Sequence, residues 1–261
     1  MKSVPNKTVW KDHEAMSMAA AHFFVAACHQ AITKHGKFSV ALSGGNTPER
    51  LYELLASPAF SKNIPWKKVF FFWSDERFVL HTSPDSNYNM AKKSLLDKID
   101  IPPKNIFPVP VTGDPEQCAR QYEMTIKKFF ATKQAAFDWL MLGTGNDGHT
   151  ASLFPHTPVL IENRRLVKQV WLKEKQTWRI TFTYPLINKA KQIILMVSGK
   201  EKRHVVNAVF TKPAKKDISC SVCKTRKIIV DNRQGSGRIM PLHIPSVLPS
   251  YFIQCMRDLA E

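Results

Sequence analysis

Acidic residues are scarce in this chain: Asp and Glu number 21 against 38 Lys and Arg, leaving a formal charge of +17 over 261 residues. A field of that sign concentrates anions, whether nucleic acid, phosphorylated metabolites or a membrane surface. The basic residues are spread out, with only short clusters such as KPAKK and KTRK, and no basic module interleaved with base-stacking aromatics is present. Nucleic acid is therefore not the expected partner. Cysteine is sparse too, five residues without framework spacing, which suits a reducing compartment over a disulfide scaffold. Cys220 and Cys223 form a lone C-x-x-C with no second ligand pair for zinc and no strand-to-helix setting for redox work. No low-complexity tract and no solenoid-period repeat occurs. Long apolar runs are missing as well. AMSMAAAHFFVAAC (15–28) is too short to cross a bilayer, and Asp12, Glu14 and His22 argue against a signal peptide. It reads as an amphipathic first helix packing through Met16, Ala19, Phe23 and Ala26. A cytoplasmic protein without a membrane partner is expected.

What is present is an alternation. A helix over about 12–34 precedes the strand KFSVAL and a helix at PERLYELLAS; KKVFFFWS is an apolar run suited to a strand buried on both faces. SNYNMAKKSLLDKI reads as helix, NIFPVP as a short extended segment, PEQCARQYEMTIKKFFA as helix and FDWLML as another buried strand. WRITFTY and QIILMVSG follow as strands, then helix KEKRHVVNAVF, strand RKIIV and a last helix near YFIQCMRDLAE. That order predicts an α/β fold: a mainly parallel twisted sheet with helices on both faces, Rossmann-like and three-layered. One domain over 1–261 is expected, atypical from about residue 213. Ligands of such sheets bind beyond the carboxyl ends of the strands. Three loops, SGGNTP, SDERF and GTGNDGH, follow confident strands and should open on one edge.

In SGGNTP, Thr47 is placed to cap a helix beginning at Pro48, with Glu49 in its first turn. Gly44 and Gly45 allow close backbone approach, and Ser43 and Thr47 add hydroxyls to bare helix-start amides, an anion cradle. The same residues also suit a plain strand-to-helix turn. The glycine spacing is neither a Walker loop nor a dinucleotide fingerprint, so no cofactor is expected. In SDERF, Arg77 is suited to an anionic group with Asp75 and Glu76 orienting it, or all three are solvated turn charges. In LGTGNDGHTASLFP (142–155), His149 titrates near neutrality and is placed to take a proton from water and return it. Asp147 would orient it or hold a substrate hydroxyl, and Gly143, Gly145 and Gly148 would aim amides at an oxyanion. Ser152 lacks a nucleophile elbow and reads as a loop hydrogen-bonder. His13, His22, His29, His35, His204 and His243 read as structural.

ALSGGNTPERLYELLA, FFWSDERFV and LGTGNDGHTASLFP resemble the 6-phosphogluconolactonases, whose superfamily includes glucosamine-6-phosphate deaminases and isomerases. The resemblance covers about residues 37–212. It implies hydrolysis of 6-phospho-D-glucono-1,5-lactone in the oxidative pentose phosphate route, with His149 as general base. It also implies phosphate contacts from Ser43, Gly44, Gly45, Asn46 and Thr47, from Arg179 and from Lys202, with Lys200 and Arg203 as neighbours able to replace Lys202. Arg77 would face the phosphate or the lactone. Deaminases of the superfamily carry a glutamate five residues after the histidine; here that place is Phe154. The catalytic candidates are thus His149, Asp147 and Asp75, and the binding candidates add Gly143 and Gly145. No metal is expected. The implied partner is a small sugar-phosphate lactone, acted on by a monomer or weak homodimer. A deaminase or isomerase, or a sugar-phosphate binder without activity, is the alternative. The C-terminal stretch departs from the family's closing pattern, with Asp231 as its one candidate remnant.

Overall fold

The computed structural model describes residues 6–131, 134–211 and 227–231. Cys220, Cys223, His243 and the helix expected near the C-terminus lie outside them. The strands are β1 (Asn6–Trp10), β2 (Phe38–Leu42), β3 (Val69–Trp73), β4 (Asp75–Arg77), β5 (Trp139–Leu142), β6 (Val167–Leu172), β7 (Thr177–Phe182), β8 (Ile193–Val197) and β9 (Lys227–Asp231). The helices are α1 (His13–His35), α2 (Asn46–Ala56), α4 (Asn87–Ser94), α5 (Pro115–Phe130) and α7 (Arg203–Thr211), with the one-turn pieces α3 (Pro58–Ser61) and α6 (Tyr184–Ile187) between them.

Six strands form one parallel sheet in the order β1-β9-β8-β5-β2-β3, and helices cover it to give three α/β/α layers. Each residue of β2, β5 and β8 is buried, as expected for strands covered on both faces. From β2 the chain winds outward to β3 on one side, while β5, β8 and β9 lie on the other. The reversal of order between β2 and β5 opens a crevice at their carboxyl ends, the place where open α/β sheets bind ligands.

Aromatic packing fixes the strands at both ends, at the amino ends of β2 and β5 through Phe24 and at the carboxyl ends of β2 and β3 through two tyrosines. Phe24 of α1 meets Phe38 and Trp139 edge-on at centroid distances of 5.2 and 5.5 Å. Burying a side chain of this size contributes roughly 1.5–3 kcal/mol. Tyr52 of α2 donates its hydroxyl to the Ser43 carbonyl at 2.8 Å and accepts from the Ser43 amide at 3.1 Å, holding the exit of β2. Tyr122 of α5 does the same for β3, its oxygen accepting from the Trp73 amide at 2.8 Å. Burial pushes both phenols well above their usual range.

α1 has the length and apolar content of a membrane span, yet half of its apolar window is buried inside the protein. Its packing face keeps only the first half of the stripe that the spacing suggests, with Met16 and Ala19 buried. Phe23 and Ala26 are only half-buried, while Met16, Ala20, Phe24, Ala27 and Ala31 are buried, a stripe turned by one residue. Small alanines leave the helix nearly apolar all round, so periodicity alone does not fix its orientation.

Two elements differ from expectation. WRITFTY does not join the main sheet: β7 pairs antiparallel with β6 and β4 in a second sheet of order β4-β7-β6. SDERF is therefore not a loop but the edge strand β4, which leaves β3 after a single residue, Ser74. NIFPVP is a short extended segment, as expected, with one parallel bridge, Ile106 to Phe71. The strands β1 and β6 have no counterpart in the sequence pattern.

Candidate active site

A cleft of about 280 Å³ opens at the carboxyl ends of β2 and β5. Ser43, Gly44, Gly45, Asn46 and Thr47 form one wall, and Asp75, Arg77 and Arg179 come from the second sheet. Gly143, Gly145 and His149 belong to the glycine loop after β5, and Lys202 to the turn after β8. Every candidate site residue thus lines it except Asp147, which reaches it through His149. Lys200 and Arg203 do not line it, so Lys202 is the residue of that trio the fold delivers.

The first wall is a helix start without a side-chain cap. Gly45, at φ 96°, ψ 165°, precedes α2, which begins at Asn46. Thr47 is consequently not the cap that the sequence suggests but lies inside the first turn, its carbonyl bonded to Nε2 of His13 at 3.0 Å. Uncapped first-turn amides carry partial positive charge and favour an anion. Gly44 is required by contact: a Cβ there would lie 1.8 Å from Oδ1 of Asn87, whose Nδ2 donates to the Asp75 carbonyl at 2.8 Å.

Strand alternation sorts the three charges of β4. Asp75 and Arg77 face one side of the sheet and Glu76 the other. Asp75 is buried and accepts the Ser152 hydroxyl at 2.7 Å, so Ser152 is a loop hydrogen-bonder. Glu76 is fully buried and accepts from the amides of Arg77, Asn87 and Tyr88 at 2.7–2.8 Å and from the Ser86 hydroxyl at 3.1 Å. Burial pushes its carboxyl up to about 7. Glu76 is therefore neither a solvated turn charge nor a partner of the Arg77 guanidinium; it fastens the start of α4 to β4. Arg77 Nη1 donates instead to the Asp85 carbonyl at 2.6 Å. Arg77 stands directly opposite Arg179 in the β4–β7 register. Like charges so placed destabilise a sheet unless an anion lies between them. Burial, with Arg77 adding to it, lowers the pKa of Arg179.

In the glycine loop, Nδ1 of His149 and Oδ1 of Asp147 are 2.6 Å apart, and the His149 amide donates to the same oxygen at 3.2 Å. This bond places a proton on Nδ1 and leaves the Nε2 lone pair open. Burial lowers the His149 pKa, outweighing Asp147 and Asp75, which raise it; Lys175 lowers it further. Burial raises the Asp147 pKa, but the adjoining imidazole outweighs it and the net shift is downward. The imidazole stacks on Phe154 at 3.8 Å between centroids, 23° from parallel. The pair is thus a neutral base beside an ionised orienting carboxylate.

Two of the three loop glycines, Gly145 and Gly148, do not serve as the sequence suggests. The Gly145 amide donates to the His149 carbonyl at 3.0 Å and the Gly148 amide to the Gly145 carbonyl at 3.1 Å. Both are committed to closing the turn, and neither is directed at an oxyanion. Gly145 is glycine because the imidazole occupies its side-chain space, with Cε1 2.2 Å from where a Cβ would stand. Gly145→Ala should therefore displace the ring at little cost in stability and lower kcat by about 10²-fold, the penalty of misplacing a base by roughly 1 Å; thermal melting and turnover measured on one sample check both halves.

Asn87, Phe154 and Lys175 also line the cleft; the sequence marks Phe154 only as the residue standing where deaminases carry a glutamate, and no signal marks Asn87 or Lys175. Lys175 lies on the turn joining β6 to β7, a hairpin that becomes legible only once VKQVWL and TWRITF are paired. Of the histidines read as structural, His29 bonds the Asn63 carbonyl, His35 bonds Asp138, and His204 reaches the Asn146 carbonyl at 2.7 Å, bracing the glycine loop. Among the described residues no cluster of His, Cys, Asp and Glu could hold a metal ion.

Residues 11–230 match the family described as glucosamine-6-phosphate isomerases/6-phosphogluconolactonase. The chain is 47% identical over 189 residues to a 6-phosphogluconolactonase of Synechocystis sp., covering 71% of this chain and 76% of that one. With a 6-phosphogluconolactonase of Nostoc sp. it shares 41% over 210 residues, 79% of this chain and 85% of the other. The solved 6-phosphogluconolactonase of Trypanosoma cruzi superposes with TM-score 0.77 at 30% identity, covering 88% of this chain and 96% of that one. A monomeric glucosamine-6-phosphate deaminase shares the fold at TM-score 0.74 and 20% identity, covering 87% and 97%.

Proposed function

The chain belongs to the glucosamine-6-phosphate isomerase/6-phosphogluconolactonase family, and from that premise we infer that it is a lactonase that hydrolyses 6-phospho-D-glucono-1,5-lactone to 6-phospho-D-gluconate in the oxidative pentose phosphate route. The observation that carries the reading is the sharing of one cleft by the His149–Asp147 pair and the opposed Arg77 and Arg179. A hydrolytic base and a dianion receptor within one small-metabolite cleft suit a phosphorylated ester.

The phosphate sits against Arg179, Lys202 and the first turn of α2, with Arg77 beside it. His149 Nε2 takes a proton from water as the oxygen adds to C1. The tetrahedral intermediate then breaks its bond to the ring oxygen, which receives the proton back from Nε2. Asp147 keeps the imidazole in the required tautomer and favours its charged form while the proton is held. Asp75 holds Ser152 and the loop beyond His149, and its charge favours the imidazolium too. Phe154 disfavours amine chemistry: an aromatic ring lies against His149 where the deaminase pattern has a carboxylate. The free thiols of Cys28 and Cys118 suit a cytoplasmic setting, and the enzyme works there as a monomer or weak homodimer, bound to neither membrane nor nucleic acid.

Because the base acts when neutral, kcat/KM should be flat at neutral pH and fall as pH drops through a midpoint below the ordinary imidazole value of 6.5. A pH–rate profile corrected for spontaneous opening checks this, and a midpoint above 6.5 would count against His149 as the base. Incubation with glucosamine 6-phosphate separates the alternatives: lactone consumption without ammonia release is expected, and ammonia release without lactone turnover would overturn the reading.

A further inference from the structure

With the Gly145 and Gly148 amides committed to the turn, the charge that develops on the C1 oxygen calls for a further partner. Lys175 is placed for it. Its side chain is exposed at the β6–β7 turn and lines the cleft. Its Nζ stands 5.2 Å from the centre of the Phe154 ring, and that ring stacks on His149 at 3.8 Å. The ring face guides the ammonium toward the reacting end by cation–π attraction. The charges that act most on His149 are Asp147 from its own loop, Asp75 from β4 and Lys175 from the hairpin. Of these only Lys175 is a cation. Arg77 and Arg179, opposed across β4 and β7, belong to the phosphate end.

We propose that Lys175 is the electrostatic partner of the C1 oxyanion and, once the ring has opened, of the product carboxylate. The inference rests on the lactonase reading. Lysine chemistry fits this role, because a compact charge on a flexible stem can follow one oxygen through tetrahedral and planar geometries. The residue adds a function for the hairpin that its sequence, KEKQ, does not announce.

Two ligands that differ only at C1 test it: 6-phosphogluconate, which carries the carboxylate, and glucitol 6-phosphate, which carries a hydroxymethyl group there. The wild-type protein should bind the first about tenfold tighter, the scale of one charge-assisted contact near solvent. Lys175→Met should erase that preference, leave glucitol 6-phosphate affinity unchanged, and lower kcat by about 10- to 100-fold, the low end for an oxyanion partner because the side chain is exposed. Lys175→Arg should restore most of both. The turn lies outside the core, so thermal stability should not move in either variant. Equal weakening of both ligands would make Lys175 a phosphate contact and overturn the proposal; so would an unchanged kcat, or no wild-type preference between the ligands. If the wild-type protein failed to turn over lactone, that would sink the lactonase reading, while the ligand comparison still judges Lys175.

Discussion

His149→Ala is expected to lower kcat by about 10²–10⁴-fold, the contribution of a positioned general base, while leaving the fold and the phosphate site in place. The loop does not depend on the imidazole for its shape. The Thr150 hydroxyl donates to the Gly143 carbonyl at 2.8 Å, and the Gly145 amide closes onto the backbone oxygen of residue 149. The side chain is also 21% exposed, so its removal opens no sealed cavity. Asp147→Asn should do less to kcat. Losing the carboxylate removes an influence that raises the His149 pKa, so the acid limb of the profile should move to lower pH. Steady-state kinetics on both variants, with glucitol 6-phosphate affinity as the control, separate loss of chemistry from loss of binding. Near-normal turnover in His149→Ala would remove the assigned base.

Arg179→Met should lower kcat/KM by about 10²–10³-fold, the range for truncating one member of a buried charge pair. The effect on stability should have the opposite sign in the free protein. Arg77 and Arg179 face each other across β4 and β7, and directly opposed like charges cost a sheet roughly 0.2–1 kcal/mol. The unliganded variant should therefore melt no lower than wild type, and somewhat higher at low salt, where the repulsion is least screened. Ligand reverses the order. An anion at 100 times its Kd stabilises a protein by about 2.7 kcal/mol; wild type should show that gain with 6-phosphogluconate, and the variant should lose most of it at the same concentration. A variant that melts lower without ligand yet binds normally would show Arg179 to be structural.

The main sheet and the meeting of its loops are legible in the sequence because their determinants are local. The runs FSVAL, VFFFW and WLML have no polar face, which marks parallel strands, and parallel strands deliver their following loops to one edge. What stays hidden depends on pairing between segments far apart. Nothing in SDERF separates Asp75 and Arg77, which line the cleft, from Glu76, which turns away to hold the amides of residues 77, 87 and 88; that follows only once β4 pairs with β7. The β6–β7 hairpin is hidden for the same reason, and Lys175 with it. The glycines of the loop advertise a freedom to expose amides, when at Gly145 the deciding fact is the volume of the His149 ring. Thr47 shows the limit of capping patterns: a hydroxyl before a proline looks like a cap, yet the helix starts two residues earlier and leaves its first turn bare for a ligand.

In the mechanism we propose, the imidazole of residue 149 and the arginines opposed across β4 and β7 act on one phosphorylated lactone. The initial rate of ring opening, measured with freshly generated 6-phospho-D-glucono-1,5-lactone with and without the protein, tests it most directly when paired with the unphosphorylated lactone. Saturable acceleration above spontaneous opening is expected for the phosphorylated compound, with a far lower kcat/KM for its counterpart. A rate indistinguishable from the spontaneous one, or equal efficiency on both lactones, would contradict it.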